Sequence, residues 1–232
     1  MTQLVRTAAY AASQHLAQQG LVVKRSHLSE VIAALLGYGT HAALTVDEAN
    51  LALDYHLDDA EILVLNRPMG EGRARQEGMG MSSMVAAAVV TTCIEALVAS
   101  AAPTPVFVGI ADFYDAHARQ ALAEAIYEAD DVADVMAGSN AMFPEEPELP
   151  EECPLTTDLW TAAAIWTIEA DGEMTGEYDP DGDRMFNGDT LQCRGWLSFL
   201  KAGRAGLLML DSGGGAAADD SWRDAGSDDD QP

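Results

Sequence analysis

Thr190-Leu-Gln-Cys-Arg-Gly-Trp-Leu-Ser-Phe199, with Trp160-Thr-Ala-Ala-Ala-Ile-Trp-Thr-Ile-Glu-Ala170 upstream of it, is the stretch on which the fold class turns. Both runs read as strands, and 173–178 and 206–210 read as two more. Asp171-Gly172 sits between two alternating runs and reads as a hairpin turn, with 179–188 and 201–204 as the other connections. Trp160, Trp166, Tyr178, Phe186, Trp196 and Phe199 concentrate in this part of the chain and suffice for a small antiparallel sheet with its own core. The tail from Asp211, rich in Gly and Asp, is expected to be disordered.

Working back toward the N-terminus, the period changes. Leu4, Ala8, Ala12 and Leu16 recur every fourth residue, so 3–19 reads as a helix with Gly20 placed to cap its C-terminal end. A second helix is expected over 27–36, with Ser26 as N-cap, Leu28, Val31, Ile32, Leu35 and Leu36 on one face, and Gly37 as its stop. A short helix at 41–44 and another from Thr45 or Asp47 to 57 lead to a buried strand at 61–66, stopped by Pro68. Residues 67–82 are rich in Gly, Arg, Glu and Met and read as a flexible connector carrying Arg67, Arg73 and Arg75. A helix from Ser82 or Ser83 to about residue 100, a strand at 106–110, and a helix over 113–136 capped by Asp112 follow, the last with Phe113, His117, Leu122, Ile126, Val132 and Val135 inward. Four prolines make 141–158 an extended acidic linker. The expected class is α+β: a helical module at 1–66, a connector at 67–82, a helix-rich middle at 83–140, the linker, the β-sheet domain at 159–210 and an acidic tail at 211–232.

Charge narrows the functions. In 232 residues, 48% of them apolar, 38 Asp and Glu face 12 Lys and Arg, a net charge of −26. A broad grip on DNA or RNA needs an array of cations to displace counterions, so that class is excluded, and docking on an anionic membrane is disfavoured. Residues 1–46 carry Arg6, Lys24 and Arg25 against Glu30, whereas 124–183 hold eighteen acids and no Lys or Arg. Such a segment repels itself unless a positive partner offsets it. Residues 84–102 come closest to a membrane span, but Glu95 and many alanines favour a buried helix. No signal-peptide pattern opens the chain, so a cytosolic location is expected. Cys93, Cys153 and Cys193 are few and scattered, as reduced thiols are.

Chemistry-bearing motifs are sparse. Asp179-Pro-Asp-Gly-Asp183 invites a calcium reading, but the sixth position is Arg184 rather than Gly and the twelfth is Thr190 rather than Glu, so a polar hairpin loop is the simpler reading. His15, His27, His41, His56 and His117 show no paired metal-ligand spacing with one another or with the cysteines. Gly70-Glu-Gly-Arg73 lacks the lysine of a phosphate loop, and Ser82 and Ser83 lack a nucleophile elbow. No catalytic residue, metal or cofactor is therefore expected.

Residues 26–44, Ser-His-Leu-Ser-Glu-Val-Ile-Ala-Ala-Leu-Leu-Gly-Tyr-Gly-Thr-His-Ala-Ala-Leu, resemble an N-terminal helical module of plasmid and integrative-element accessory proteins that are often labelled glyoxalase-related. The resemblance spans roughly 3–57 and carries no metal ligands, so it implies no glyoxalase activity. With three cations in the first 46 residues, a packing role for this module is favoured over a helix-turn-helix that reads DNA. The resemblance implies a mobile-element accessory gene, and the whole chain looks like an acidic anti-CRISPR protein. That implies a non-enzymatic inhibitor whose carboxylates meet a basic nucleic-acid-binding protein or ribonucleoprotein, a type I CRISPR surveillance complex above all. The carboxylates expected to bind are Glu124, Glu128, Asp130, Asp131 and Asp134, with Glu124, Glu128 and Asp131 on one continuing helix face, and Glu145, Glu146, Glu148, Glu151 and Glu152 in the linker. Two other classes stay open: a structural or regulatory accessory that binds a partner protein through the N-terminal helices, and a metal-dependent hydrolase using Asp181 or Asp183.

Overall fold

The computed structural model describes residues 3–76, 82–139, 141–154, 158–178 and 190–218. In chain order the elements are α1 (Gln3–Gln18), α2 (Arg25–Leu35), α3 (His41–Glu48), β1 (Ile62–Val64), α4 (Arg67–Ala74), α5 (Ser83–Ala101), β2 (Val106–Phe107), α6 (Ile110–Phe113), α7 (Arg119–Tyr127), α8 (Asp130–Gly138), β3 (Ala141–Met142), β4 (Ile165–Thr175), β5 (Glu177–Tyr178), β6 (Thr190–Ala202) and β7 (Gly206–Ala218). The class is α+β. Two compact units form: Met1–Phe113 with Thr157–Trp166 and Phe199–Leu210, and Tyr114–Thr156 with Thr167–Ser198 and Asp211–Pro232. Strands β4, β6 and β7 contribute residues to both.

The larger sheet has the order β2-β1-β7-β6-β4. β1 runs parallel to β2, with Leu63 opposite Val106, and antiparallel to β7, with Ile62 opposite Leu207. The C-terminal strands thus share a mixed sheet with two strands from far upstream. Asp171-Gly172, expected as a hairpin turn, lies inside the continuous strand β4. A strand expected over 106–110 is two residues long, because the chain turns into α6 at Ile110.

In the first unit, α1 packs along α5 and α2. Both of its neighbours offer small residues, and Ala8, Ala9 and Ala12 share a core with Val31, Ala86, Val89, Val90 and Cys93. Among the described residues α5 alone is long and apolar enough to cross a membrane, with mean hydropathy 1.9, yet here Ala86, Val89, Val90, Thr92, Cys93, Ala96 and Leu97 are buried in the protein core. The two helix stops expected at glycine are present. At Gly37 (φ +84°) the Tyr38 N–H donates to Ala33 O at 2.9 Å and the Gly37 N–H to Ala34 O at 2.9 Å, and Gly20 (φ +78°) ends α1 with the same pair of bonds. Ser26 is not the cap of α2, since the helix already begins at Arg25. The helices expected at 41–44 and 45–57 are one helix, α3, capped by Thr40 and ending at Glu48.

The segment expected as a flexible connector begins as α4. Asn66 caps it by accepting from the Met69 N–H at 3.0 Å, Pro68 sits in its first turn, and Glu71 pairs with both Arg67 and Arg75. Arg73 pairs with Glu30 of α2, and a Cβ on Gly70 would stand 2.5 Å from Leu35 Cδ2, so only glycine lets α4 and α2 come this close. Residues 77–81 of that segment lie outside the described residues.

In the second unit the single helix expected over 113–136 is interrupted. A π-helical turn (Tyr114–Ala118) precedes α7, and Ala129 is extended between α7 and α8. Ile126 and Val132 are six residues apart and would point about 120° apart around one straight helix. The break returns both to one core, with Phe143, Met174, Leu191 and Cys193. β3 and β5 form a separate two-stranded ribbon. The expected disordered tail begins instead as strand: β7 runs to Ala218, and 219–232 lie outside the described residues. Gly213 and Gly214 of β7 are contact points. A Cβ on Gly214 would stand 2.5 Å from Ile126 Cα, one on Gly195 of β6 would stand 2.7 Å from Ile126 Cγ1, and one on Gly213 would overlap the Trp196 ring.

These contacts set a prediction. Gly195→Ala should cost about 1–3 kcal/mol in denaturant unfolding, because Ile126 and the Leu122 carbonyl cannot both retreat. Gly215→Ala, where nothing lies within 4 Å, should leave the midpoint unchanged.

Candidate functional site

The carboxylates singled out by sequence all belong to the second unit, and all ten are exposed: Glu124, Glu128, Asp130, Asp131, Asp134, Glu145, Glu146, Glu148, Glu151 and Glu152. The break at Ala129 separates them into groups. Glu124 lies on α7 and Glu128 at its C-cap, whereas Asp130 and Asp131 occupy the first turn of α8, where they meet the positive end of the helix dipole. The expected face running from Glu124 through Glu128 to Asp131 is therefore not continuous.

The acidic linker is tied down rather than free. The Gln120 amide donates to Glu146 at 3.0 Å and to Glu124 at 3.1 Å, joining a linker carboxylate to a helix carboxylate. Tyr127 donates to Phe143 O at 3.3 Å and Tyr114 to Pro150 O at 2.7 Å. Glu148 and Glu173 exchange backbone hydrogen bonds at 2.8 and 3.2 Å, and a Cβ on Gly172 would stand 2.5 Å from Glu148 O. This crossing explains Asp171-Gly172: the glycine is there for a close approach, not for a turn. Beside it, Glu148, Asp171, Glu173 and Gln192 line an open cavity of about 400 Å³.

Local neutralisation is greater than the sequence implied. Arg194, outside the cation-free segment in sequence, pairs with Glu169 and comes within 3.9 Å of Asp171. The carboxylate beside it pushes the Arg194 guanidinium pKa up. Arg119 and Arg194 are the two Lys or Arg residues among the described residues of this unit. Among the described residues no cluster of three or more His, Cys, Asp or Glu could hold a metal ion, and the Asp179–Asp183 loop lies outside them.

A second site, which the sequence reading passed over, lies in the first unit. A cavity of about 350 Å³ is lined by Asp47, Tyr55, Trp160, Thr161, Lys201 and Arg204, among others. Lys201 is 8% exposed, and its Nζ donates to Arg204 O at 2.8 Å. Burial pushes the Lys201 amine down to about 7, against a smaller upward pull from Asp158. The Arg204 guanidinium lies 5.2 Å over the Tyr38 ring and donates to Gly37 O at 3.3 Å. Tyr38 donates to Asp47 Oδ2 at 2.7 Å and accepts from the Arg204 N–H at 3.2 Å, and burial followed by the Asp47 bond drives its pKa upward. Trp160 packs against Gly37 and donates to Val64 O at 2.9 Å. A sequence signal for Lys201 existed: Leu191, Cys193, Gly195, Leu197 and Phe199 are the buried row of β6, and Lys201 continues their parity.

No family model, curated protein or solved structure matches this chain.

The buried amine makes a signed prediction. An ordinary lysine titrates near 10.4 and is protonated when unfolded, whereas the folded amine is neutral above about 7, so the unfolded state binds the extra proton and lowers stability most at and below neutral pH. Stability from this group therefore rises between about pH 7 and 10. Lys201→Met should raise Tm at pH 6, with the gain shrinking toward pH 10. The comparison is between variants because Cys93 and Cys193, raised to about 12 and about 11, bias the wild-type profile the other way above pH 8.5.

Proposed function

We propose that this chain is a non-enzymatic, acidic binding protein of the cytosol that inhibits or takes apart a basic nucleic-acid-handling complex, most specifically a type I CRISPR surveillance complex. The observation that carries the reading is the fixed linker. Carboxylates on a freely moving segment would lose conformational entropy on docking, which cuts into affinity. Here Gln120, Tyr114, Tyr127 and the Glu148–Glu173 backbone pair hold residues 143–150 in place before any partner arrives. Glu124, Glu145, Glu146 and Glu148 then form a preset anionic surface.

A groove lined with Lys and Arg, as nucleic-acid channels are, is the complementary surface. Long-range attraction accelerates encounter, and apolar contacts hold the docked state. Exposed Tyr127 and Met142, on the same unit as these carboxylates, offer such contacts. The resemblance of residues 26–44 to a mobile-element module supports the choice of a defence complex as target.

The test uses the purified chain and a purified type I surveillance complex. Binding should weaken steeply between low and high salt. The combined variant Glu124→Gln, Glu145→Gln, Glu146→Gln and Glu148→Gln should lower the association rate about tenfold or more. An unchanged rate and salt dependence would sink the reading. A protein that binds as well after neutralisation, but loses binding on substitutions in α1 and α2, would instead be an accessory that docks by its helices.

A further inference from the structure

We infer that the cavity beside Lys201 is a covalent capture site for a small carbonyl compound bearing a carboxylate, such as a 2-oxo acid, held as an imine on the Lys201 nitrogen. Three observations carry this, none of them shared with the acidic surface. First, the amine is buried at the wall of a cavity, not at the surface: Lys201 is 8% exposed and lines a space of about 350 Å³, at the small end of the roughly 300–1,000 Å³ usual for ligand sites. Second, among the described residues its Nζ makes one hydrogen bond, to Arg204 O at 2.8 Å. An ammonium has three N–H donors and no lone pair, so a deprotonated amine suits the site better and leaves the nitrogen lone pair for chemistry. Third, Arg204, an exposed residue, lines the same cavity and supplies a positive charge for a carboxylate, its guanidinium held in place by the Tyr38 ring and Gly37 O, with Trp160 and Tyr55 also in the lining.

Burial and charge act on the amine in opposite directions. Asp158 pulls toward the ammonium, Arg204 lines the same cavity, and Asp47 is occupied by the Tyr38 hydroxyl at 2.7 Å. Desolvation is the largest influence, and it leaves the amine poised near neutrality.

The step balances without an oxidant or reductant. The nitrogen lone pair attacks the carbonyl carbon, the C–N bond forms, and the carbonyl electron pair moves to oxygen. One amine proton transfers to that oxygen to give the carbinolamine. The C–O bond then breaks, and oxygen leaves as water with the second amine proton, forming C=N. Hydrolysis reverses each step.

The chain supplies its own control, because Lys24 and Lys201 are its two lysines and Lys24 is exposed on the helical module. Native protein is incubated with glyoxylate and cyanoborohydride near pH 7, and the adduct is mapped by peptide mass. Lys201 should be labelled at least tenfold faster than Lys24, with a pH profile whose midpoint lies near neutrality. Acetaldehyde, which lacks the carboxylate, should lose most of that preference, and Arg204→Gln should lower glyoxylate labelling of Lys201 while leaving Lys24 unchanged. Equal labelling of the two lysines, or labelling of Lys24 alone in the folded chain, overturns the site. Lys201→Met and Arg204→Gln are checked by circular dichroism. If Arg204→Gln unfolds, the ratio of the two lysines in native protein decides alone, since it needs no variant.

Discussion

One buried phenol holds the first unit together. Tyr38 follows the glycine that stops α2, so its side chain enters the core at a fixed place, and it is 1% exposed there. Its hydroxyl then has to find partners, because an unpaired buried O–H costs about 1–3 kcal/mol. It finds two, donating to Asp47 of α3 and accepting from the backbone N–H of Arg204 in the β6–β7 turn. Two successive helices and a turn 166 residues further along the chain are thereby fixed around a single oxygen. Trp160, stacked on Gly37 and bonded to Val64 O, closes the same corner from a fourth direction. The cavity beside Lys201 is what remains between these parts.

The second unit rests on a different constraint, close approach at residues without side chains. Ile126 of α7 lies on Gly195 and Gly214, Trp196 lies over Gly213, and the acidic segment crosses β4 at Gly172. Each glycine removes a Cβ where backbone or ring needs the room. The same packing sets the carboxylates in position, because α7 carries Gln120, Glu124 and Tyr127, which between them reach Glu146 and Phe143. Repulsion among these acids is borne partly by hydrogen bonds to neutral groups such as the Gln120 amide, while Arg194 offsets Glu169 on β4.

What could be read from the sequence follows from which interactions are local. The four-residue spacing in α1, the glycine stops of α1 and α2, the strand at β1 and the start of α5 at Ser82 depend on neighbours in the chain, and each was legible. Three of the differences share one cause. Gly-Glu-Gly-Arg at 70–73, Asp171-Gly172 and Gly213–Gly215 all look like loop or tail chemistry, since glycine weakens both helix and strand. In the fold each sits where another element presses close, and that pressure comes from residues such as Leu35, Glu148 and Trp196 that no local window contains. The charge surplus was legible as a number but not as a surface. The break at Ala129 and the pinning of 143–150 decide which acids stand together, and both are set by burial of Ile126, Val132 and Phe143.

The choice of lysine at 201 carries its own chemical weight. Ten of the chain's twelve Lys and Arg residues are arginine, so a cation needed only for charge would more often be arginine here. Arginine at the end of the buried row of β6 would have to stay ionised, with five N–H donors to satisfy in a space that offers Lys201 one carbonyl. Lysine alone among the two can shed its proton and remain as a neutral amine. A methionine of similar length would fill the same volume with no polar group to satisfy, and the fold would gain stability by it. A residue that the packing would prefer to exchange, set in the wall of a cavity beside a guanidinium, is better explained by its nitrogen than by its contribution to the core.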